Sequence, residues 1–296
     1  MNHTSPLCIF VGLEDSTGHV IDDHLCEPHF QARGWRLETR PWTATSDWTE
    51  ADLLVLRSCY DYWLSPAKFD EFLAARESEG CRLLNPARLV RWNNSKRYLI
   101  HLAGLGIPVV ASLIIDENTL PEDLPNFLAA HRGTSEFVVK PLIGSGGFEI
   151  LRLRREELVG RTFDKEVMVQ PFLPQISRGE WSAIFFNGTP SHPVIKRAKE
   201  GEYRVQDSHG GSTHPTDWAD KPQLLEHAQR VAEAMRTLAL PIPCYARYDF
   251  MDGDSEGELL LMEVEVIEPT LFLAHHEGAA ERFVEAILSY PSEQDG

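Results

Sequence analysis

Three carboxylates and one arginine near the C-terminal end have the spacing of a cation and phosphate site. Asp249 stands in RYDF, two residues after Arg247, and Glu263 and Glu265 stand in MEVE. On a β-strand, residues two apart point to the same face. Glu263 and Glu265 therefore share a side, as do Arg247 and Asp249, and a hairpin of the two strands brings all four together. Carboxylates converging among apolar strand residues are costly unless they meet cations. An all-oxygen set suits Mg2+, which takes one or two carboxylates together with substrate phosphates. Arg247 beside them suits a phosphoryl group in transit. The plain alternative is a solvated acidic strand face, which the apolar LLLM and VIEP flanks disfavour.

A second stretch, FVVKPLIGSGGFEI (137–150), ends an apolar run in Lys140 and continues into Gly144-Ser145-Gly146-Gly147. The lysine precedes the glycines, so this is not GxxxxGK[ST]. No helix signal follows, so it is not the GxGxxG turn of dinucleotide folds. Two readings stay open: a plain flexible hairpin, or a mobile tip whose backbone N–H groups close over phosphates beside the Lys140 charge.

A third group, Arg57, Asp61 and Tyr62, follows an apolar run, where α/β sheets place ligand contacts. Arg57 there suits a substrate carboxylate and Asp61 an amine, and a capped turn with an ion pair is an equal reading. His209, in DSHGG, reads as an exposed loop histidine ahead of a base on the nucleophile. The twelve histidines show no HExxH-like spacing, and tryptophans such as Trp92 and Trp181 read as core or rim packing.

These groups need elements to hold them. LCIFV (7–11) and LLVL (53–56) read as strands buried on both faces of an α/β sheet. Ser65 and Pro66 open a helix that Gly80 stops. Another helix starts near Asn94 or Ser95 and closes at Gly106, before an Ile-Pro-Val-Val strand. From about residue 113 the pattern becomes antiparallel: FVVK, FEILRL, EVMVQPFL, WSAIFF and HPVIKRA. A helix over about 222–240, strands over 245–251 and 258–269, and a last helix over about 279–290 complete the chain. The expected division is 1–112, an α/β domain; 113–175, a small α+β unit with the glycine loop; and 176–296, a larger α+β unit with the carboxylates.

With 296 residues there is ample chain for a sizeable core. A balance of 28 basic against 45 acidic residues, net −17, disfavours nucleic acid and anionic lipid as partners. No run approaches a membrane span, and the N-terminal stretch reads as a buried strand, not a signal peptide. Five scattered cysteines without CxxC fit reduced thiols in the cytoplasm.

The motif order resembles the ATP-grasp superfamily and its glutathione synthetase-like ligases. It runs NPARLVRWNNSKRYL, FVVKPLIGSGG, MVQPFLPQISRGEWS, HPVIKRAKEGEYRVQDSHGG, YARYDF and LLMEVEVIEP, over roughly residues 85 to 270. The WNxxK and EYRVQxxxGG forms, with VIEPTLF, resemble the bacterial branch that includes the ligase closing the ring of D-cycloserine. The resemblance implies an ATP-grasp fold: an N-terminal α/β domain followed by two α+β subdomains clamping ATP. It implies that Lys96 and Lys140 reach ATP phosphates and that Gly144, Ser145, Gly146 and Gly147 form the loop over the triphosphate. Gln170, Pro171, Phe172 and Leu173 match the hinge strand whose backbone reads adenine, and Glu180 the acid that holds the ribose. Lys196 and Arg204 match charges near the γ-phosphate and acyl group, and Arg247 the arginine steadying the phosphoryl group. Asp249 and Glu263 match the magnesium ligands, while Glu265 replaces the usual Asn. Gly210 and Gly211 join Arg57, Asp61 and Tyr62 on the substrate side. The implied activity is an ATP- and Mg2+-dependent carboxylate–amine ligase, using two ions with Mn2+ as a substitute, on small-molecule acids and amines. A homo-oligomer is also implied, without a legible interface. A phosphotransferase of the same fold, or a nucleotide-binding module without chemistry, are the other readings.

Overall fold

A computed structural model describes residues 5–19, 21–206 and 209–291. Its first sheet is parallel, in the order β2-β1-β3-β4, from β1 (Leu7–Gly12), β2 (Arg36–Pro41), β3 (Leu53–Ser58) and β4 (Leu83–Leu84). Every residue of β1 and β3 is buried, as continuous apolar runs require. Helices α1 (Glu27–Ala32), α2 (Pro66–Ser78), α3 (Ala87–Asn93) and α4 (Tyr98–Gly104) belong to the same stretch of chain. Ile9, Val11, Leu54 and Leu56 pack with Phe69 and Leu73 of α2. Cys8, Phe10 and Val55, pointing the other way, pack with Phe30 of α1. Pro66 starts α2 at a position whose N–H would be unpartnered in any case. Gly80, two residues past its end, sits at φ +71°, which glycine tolerates without strain.

The second sheet, β5-β8-β6-β7, is antiparallel, with β5 (Leu113–Ile115), β6 (Glu136–Pro141), β7 (Leu151–Arg154) and β8 (Val167–Pro171). Helices α5 (Leu124–Ala130) and α6 (Arg155–Leu158) accompany it, and Phe137, Val139, Val169 and Leu128 share its core.

The third sheet, β11-β10-β9-β12-β13, is antiparallel and positions most of the charged residues. Its strands are β9 (Glu180–Phe186), β10 (Thr189–Arg197), β11 (Ser212–Pro215), β12 (Tyr245–Asp252) and β13 (Leu259–Glu265). Helix α7 (Pro222–Thr237) lays Leu224, Ala228, Val231 and Met235 against Ala183, Phe185, Ala246, Tyr248 and Phe250 on one face, where α4 also packs. The opposite face divides along its length. At one end Ile184, Phe186, Val194 and Tyr245 are covered by α8 (Ala279–Ser289) through Phe283 and Val284. At the other end the same alternation presents Glu180, Ser182, Lys196, Arg247 and Asp249.

Three elements differ from expectation. The helix expected from Asn94 or Ser95 begins later, as α4 at Tyr98, and a separate helix, α3, precedes it. Ile107-Pro108-Val109-Val110 is not a strand: Val109 makes one isolated bridge to Leu261, and Pro108 supplies a carbonyl to Leu261. Strand β13 ends at Glu265, leaving Val266 to Pro269 as buried, non-ladder chain. All five cysteines are free, four of them buried. No helix among the described residues is long and apolar enough to cross a membrane.

Candidate active site

A cavity of about 540 Å3 lies where the three sheets meet, and its charged wall is the β12–β13 pair. The ladder sets Asp249 opposite Glu263 and Arg247 opposite Glu265. Carboxylate oxygens of Asp249, Glu263 and Glu265 lie within 4.8 Å of one another, so one cation could touch all three. This hard, all-oxygen donor set among buried strand residues fits Mg2+.

Each of these acids is held by cations. Arg247 donates to Asp249 from Nε (3.0 Å to Oδ1) and from Nη2 (3.0 Å to Oδ2), to the Thr270 carbonyl at 3.1 Å, and to Glu265. Lys196 bridges Asp249, at 2.9 Å, and Glu180. Ser182 donates its hydroxyl to Asp249 at 2.6 Å. Burial works against the Asp249 charge, but Arg247 and Lys196 outweigh it and hold the carboxyl near 2. Glu263 is likewise drawn down, burial being overcome by Lys96 and Lys140. Glu265 goes the other way: burial, with the charges of Glu263 and Asp249, lifts it to about 8 against the pull of Arg247.

Beside this wall stand Lys96, Lys140 and the glycine loop. Lys96 contacts Glu263 at 3.1 Å and donates to the Gly144 carbonyl at 2.9 Å, tying the glycine loop to the carboxylates. Lys140 is buried at the end of β6 and has no hydrogen-bond partner among the described residues. Burial, with the Lys96 charge, lowers it to about 8 against the attraction of Glu263. Gly144, Ser145, Gly146 and Gly147 line the cavity. No helix follows them; Phe148 closes a turn back to Ser145 and β7 begins at Leu151. Gly147 sits at φ +73°, where an added Cβ would lie 3.1 Å from Gln206 Oε1, so both conformation and space favour glycine. Beyond the loop, Phe148 stacks on Trp63 with centroids 5.7 Å apart.

Gln170, Pro171, Phe172 and Leu173 form the far wall, Gln170 donating to Ser112 Oγ at 2.9 Å. Tyr203 meets Phe172 edge-on, and Arg152 covers that ring at 3.7 Å. Glu180 lines the cavity with its carboxylate on Lys196, and Arg204 lines it while paired to Glu202 at 2.8 Å.

The substrate-side candidates separate. Tyr62 lines the cavity. Arg57 does not: it is 2% exposed, donates to Asp23 Oδ1 at 2.7 and 2.9 Å and to the Pro269 carbonyl at 3.1 Å, and lies over the Phe283 ring. Asp61 also faces away, accepting from Trp42 Nε1 at 2.7 Å. Arg57 takes the ion-pair reading with Asp23, whereas Asp61 neither pairs with a cation nor caps the turn at Tyr62–Leu64, its partner being the Trp42 indole. Gly210 and Gly211 lie outside the cavity lining, on a turn in which Gly211 N–H reaches the Gln206 carbonyl. His209 is half-buried, not exposed, with Nε2 beside Gly147.

Glu268, Tyr60, Thr270 and His19 line the cavity and were not singled out from sequence. Glu268 follows the last strand, where alternation no longer reports facing; its PT neighbours were its only local signal. Burial lifts its carboxyl to about 7, against the pull of Lys96.

Residues 8–85 match the family model of the N-terminal domain of D-cycloserine synthetase DcsG, and residues 111–272 match the prokaryotic glutathione synthetase ATP-grasp domain. The cycloserine biosynthesis protein DcsG of Streptomyces lavendulae is 32% identical over 261 residues, covering 82% of this chain and 84% of that one. A glutathione synthetase of Prochlorococcus marinus subsp. pastoris is 26% identical over 234 residues, covering 71% and 72%. The crystal structure of D-cycloserine synthetase DcsG matches with a TM-score of 0.80 at 28% identity, over 95% of this chain and 98% of that one. A D-alanine–D-alanine ligase from Bacillus anthracis matches at 0.66 with 15% identity over 96% of each chain, a likeness of fold.

Proposed function

Since the chain belongs to the ATP-grasp family of the prokaryotic glutathione synthetase type, and so is an ATP-dependent carbon–nitrogen ligase, we propose that it joins a small amino-acid-like carboxylate to a nitrogen through an acyl phosphate. We further propose ring closure within one molecule, the bond a cyclic amide such as D-cycloserine requires. Support for the chemistry comes from one observation above all: the Asp249–Glu263–Glu265 cluster faces Lys96, Lys140 and the glycine loop across one cavity. Support for the substrate class comes from the relative that is 32% identical over 82% of the chain.

A carboxylate is a poor acyl donor because its leaving group would be oxide. In the proposed reaction its oxygen attacks the γ-phosphorus of ATP and ADP leaves. The nitrogen lone pair then attacks the acyl carbon, the carbon–oxygen bond to phosphate breaks, inorganic phosphate departs, and the nitrogen sheds a proton to become an amide. Lys96, Lys140 and residues 144–147 hold the triphosphate; residues 170–173 meet adenine with their backbone and Glu180 meets the ribose. Arg247, with Lys196 and Arg204, balances charge on the moving phosphoryl group. Asp249, Glu263 and Glu265 would hold magnesium, two ions in this reading with Mn2+ as a substitute, which would supply positive charge to the phosphate oxygens. Residues 1–112 form the substrate side, and residues 113–175 and 176–296 grip the nucleotide. A cytoplasmic enzyme, acting as a homo-oligomer, completes the reading.

The test is ADP release from ATP and Mg2+ with small amino acids, dipeptides and β-aminooxy-D-alanine, the acid formed by opening the D-cycloserine ring. Hydroxylamine converts an acyl phosphate to a hydroxamate. ADP together with a phosphorylated product and no hydroxamate would identify a phosphotransferase instead. Mass spectrometry separates ring closure from the joining of two molecules.

A further inference from the structure

Resting on the ligase reading, we propose that Glu268 holds the nitrogen-bearing group of the acceptor and so determines specificity for an amine or other N–H donor. The other carboxylates at the charged end of the cavity each have a cation at ion-pair distance: Asp249 has Arg247 and Lys196, Glu265 has Arg247, Glu263 has Lys96, and Glu180 has Lys196. Glu268 lines the same cavity, is 7% exposed, and has no such partner among the described residues. Lys96 acts on it only from longer range. A buried carboxylate in this state favours a ligand that brings positive charge or N–H donors and disfavours phosphate or a second carboxylate.

Its place in the cavity says which ligand group that is. Glu268 stands outside the Asp249–Glu263–Glu265 cluster, whose carboxylate oxygens lie within 4.8 Å of one another. Glu268 and Ser145 of the glycine loop line the same cavity, which in the proposed reaction also holds the acyl phosphate. Its lining neighbours Tyr60 and Thr270 are uncharged, their hydroxyls 3.4 Å apart, and offer no cation of their own. A nitrogen held there would share the cavity with the acyl carbon it must attack.

The experiment compares wild type with Glu268→Gln, which keeps shape and hydrogen bonding but removes the charge. ADP release is measured with ATP, Mg2+, β-aminooxy-D-alanine and the small amino acids. For a probe that turns over, Glu268→Gln raises its KM by about tenfold or more, as loss of a charged hydrogen bond implies. The KM for ATP and the apparent Mg2+ requirement stay unchanged, a pattern that a merely structural role would not produce. An unchanged probe KM overturns the proposal, and so does a raised Mg2+ requirement at unchanged probe KM, the signature of a metal ligand. If the Gln variant fails to bind ATP and so is misfolded, Glu268→Asp, with the charge one methylene short, gives the same readout. If wild type releases no ADP with any probe, the ligase reading falls and takes this inference with it; if wild type turns over and the variant matches it, this inference alone falls.

Discussion

Two buried arginine–aspartate pairs lie close together in the fold and do opposite things. Arg57 and Asp23 form a closed pair: the guanidinium donates to one carboxylate and one carbonyl, lies over Phe283, and meets no cavity. Arg247 and Asp249 form an open one: the carboxylate also takes Lys196 and Ser182, the arginine also takes Glu265, and both residues line a cavity of about 540 Å3. Residue type, burial and ion-pair distance do not distinguish the two. The difference lies in redundancy. A closed pair has one partner for each charge, so removing either leaves a buried ion alone. In the open network Arg247, Asp249 and Lys196 each keep a second charged partner, which allows one to be exchanged when a ligand arrives.

The largest expected effect is on stability, at the closed pair. Arg57→Met should lower unfolding free energy by about 3–5 kcal/mol, because Asp23 is left uncompensated. Denaturant unfolding measures this, and the KM values of the folded fraction should not move. A raised acid KM at unchanged stability would mean that Arg57 reaches substrate after all. Next is the open network: Asp249→Asn should cut turnover on the order of 10²-fold or more, the scale of removing a preorganised electrostatic group. Its thermal midpoint should hardly move, because Arg247 keeps Glu265 and Lys196 keeps Glu180.

A third test concerns the closed end of the same sheet. His192 is buried with Nε2 on the Leu271 carbonyl, and burial lowers its pKa to about 3. The unfolded chain, near 6.5, takes the proton first, so this contribution is complete above about 6.5 and is lost as pH falls towards 3. It should cost about 2 kcal/mol between pH 7 and pH 5. Glu265 and Glu268, held above the usual carboxylate range, pull the opposite way, so the effect is read as the difference between wild type and His192→Asn. An identical pH slope in both would refute it. The smallest effect belongs to the stack joining the glycine loop to the first domain. Phe148→Ala should raise the KM for ATP by about two- to tenfold, the worth of an aromatic pair, and an unchanged KM would mean the stack plays no part in closing the loop.

Much of this was legible beforehand, for identifiable reasons. Period-two spacing placed Glu263 with Glu265 and Arg247 with Asp249, and the hairpin register brought the pairs together. Continuous apolar runs marked β1 and β3, and a one-sided apolar stripe marked α7. Arg57 was ambiguous because its partner lies 34 positions away, a separation that no local pattern encodes. Glu268 was missed because strand periodicity stops at Glu265. The Ile-Pro-Val-Val run was apolar enough for a strand, yet only Val109 bridges to a neighbour, so burial without a ladder satisfies it.

The outer side of β13 is closed by side chains in place of another strand. Tyr98 Oη accepts the Val264 N–H, Asn93 accepts from Val266 and donates to the Val264 carbonyl, Asn85 donates to the Val266 carbonyl, and Pro108 accepts from Leu261. An edge strand normally offers these groups to any passing chain and so becomes a template for aggregation. Here the segment from Asn85 to Pro108 consumes them one by one. The acidic strand is thereby withheld from intermolecular pairing. Loss of Asn93 would be felt first as self-association at high protein concentration, before any loss of the site.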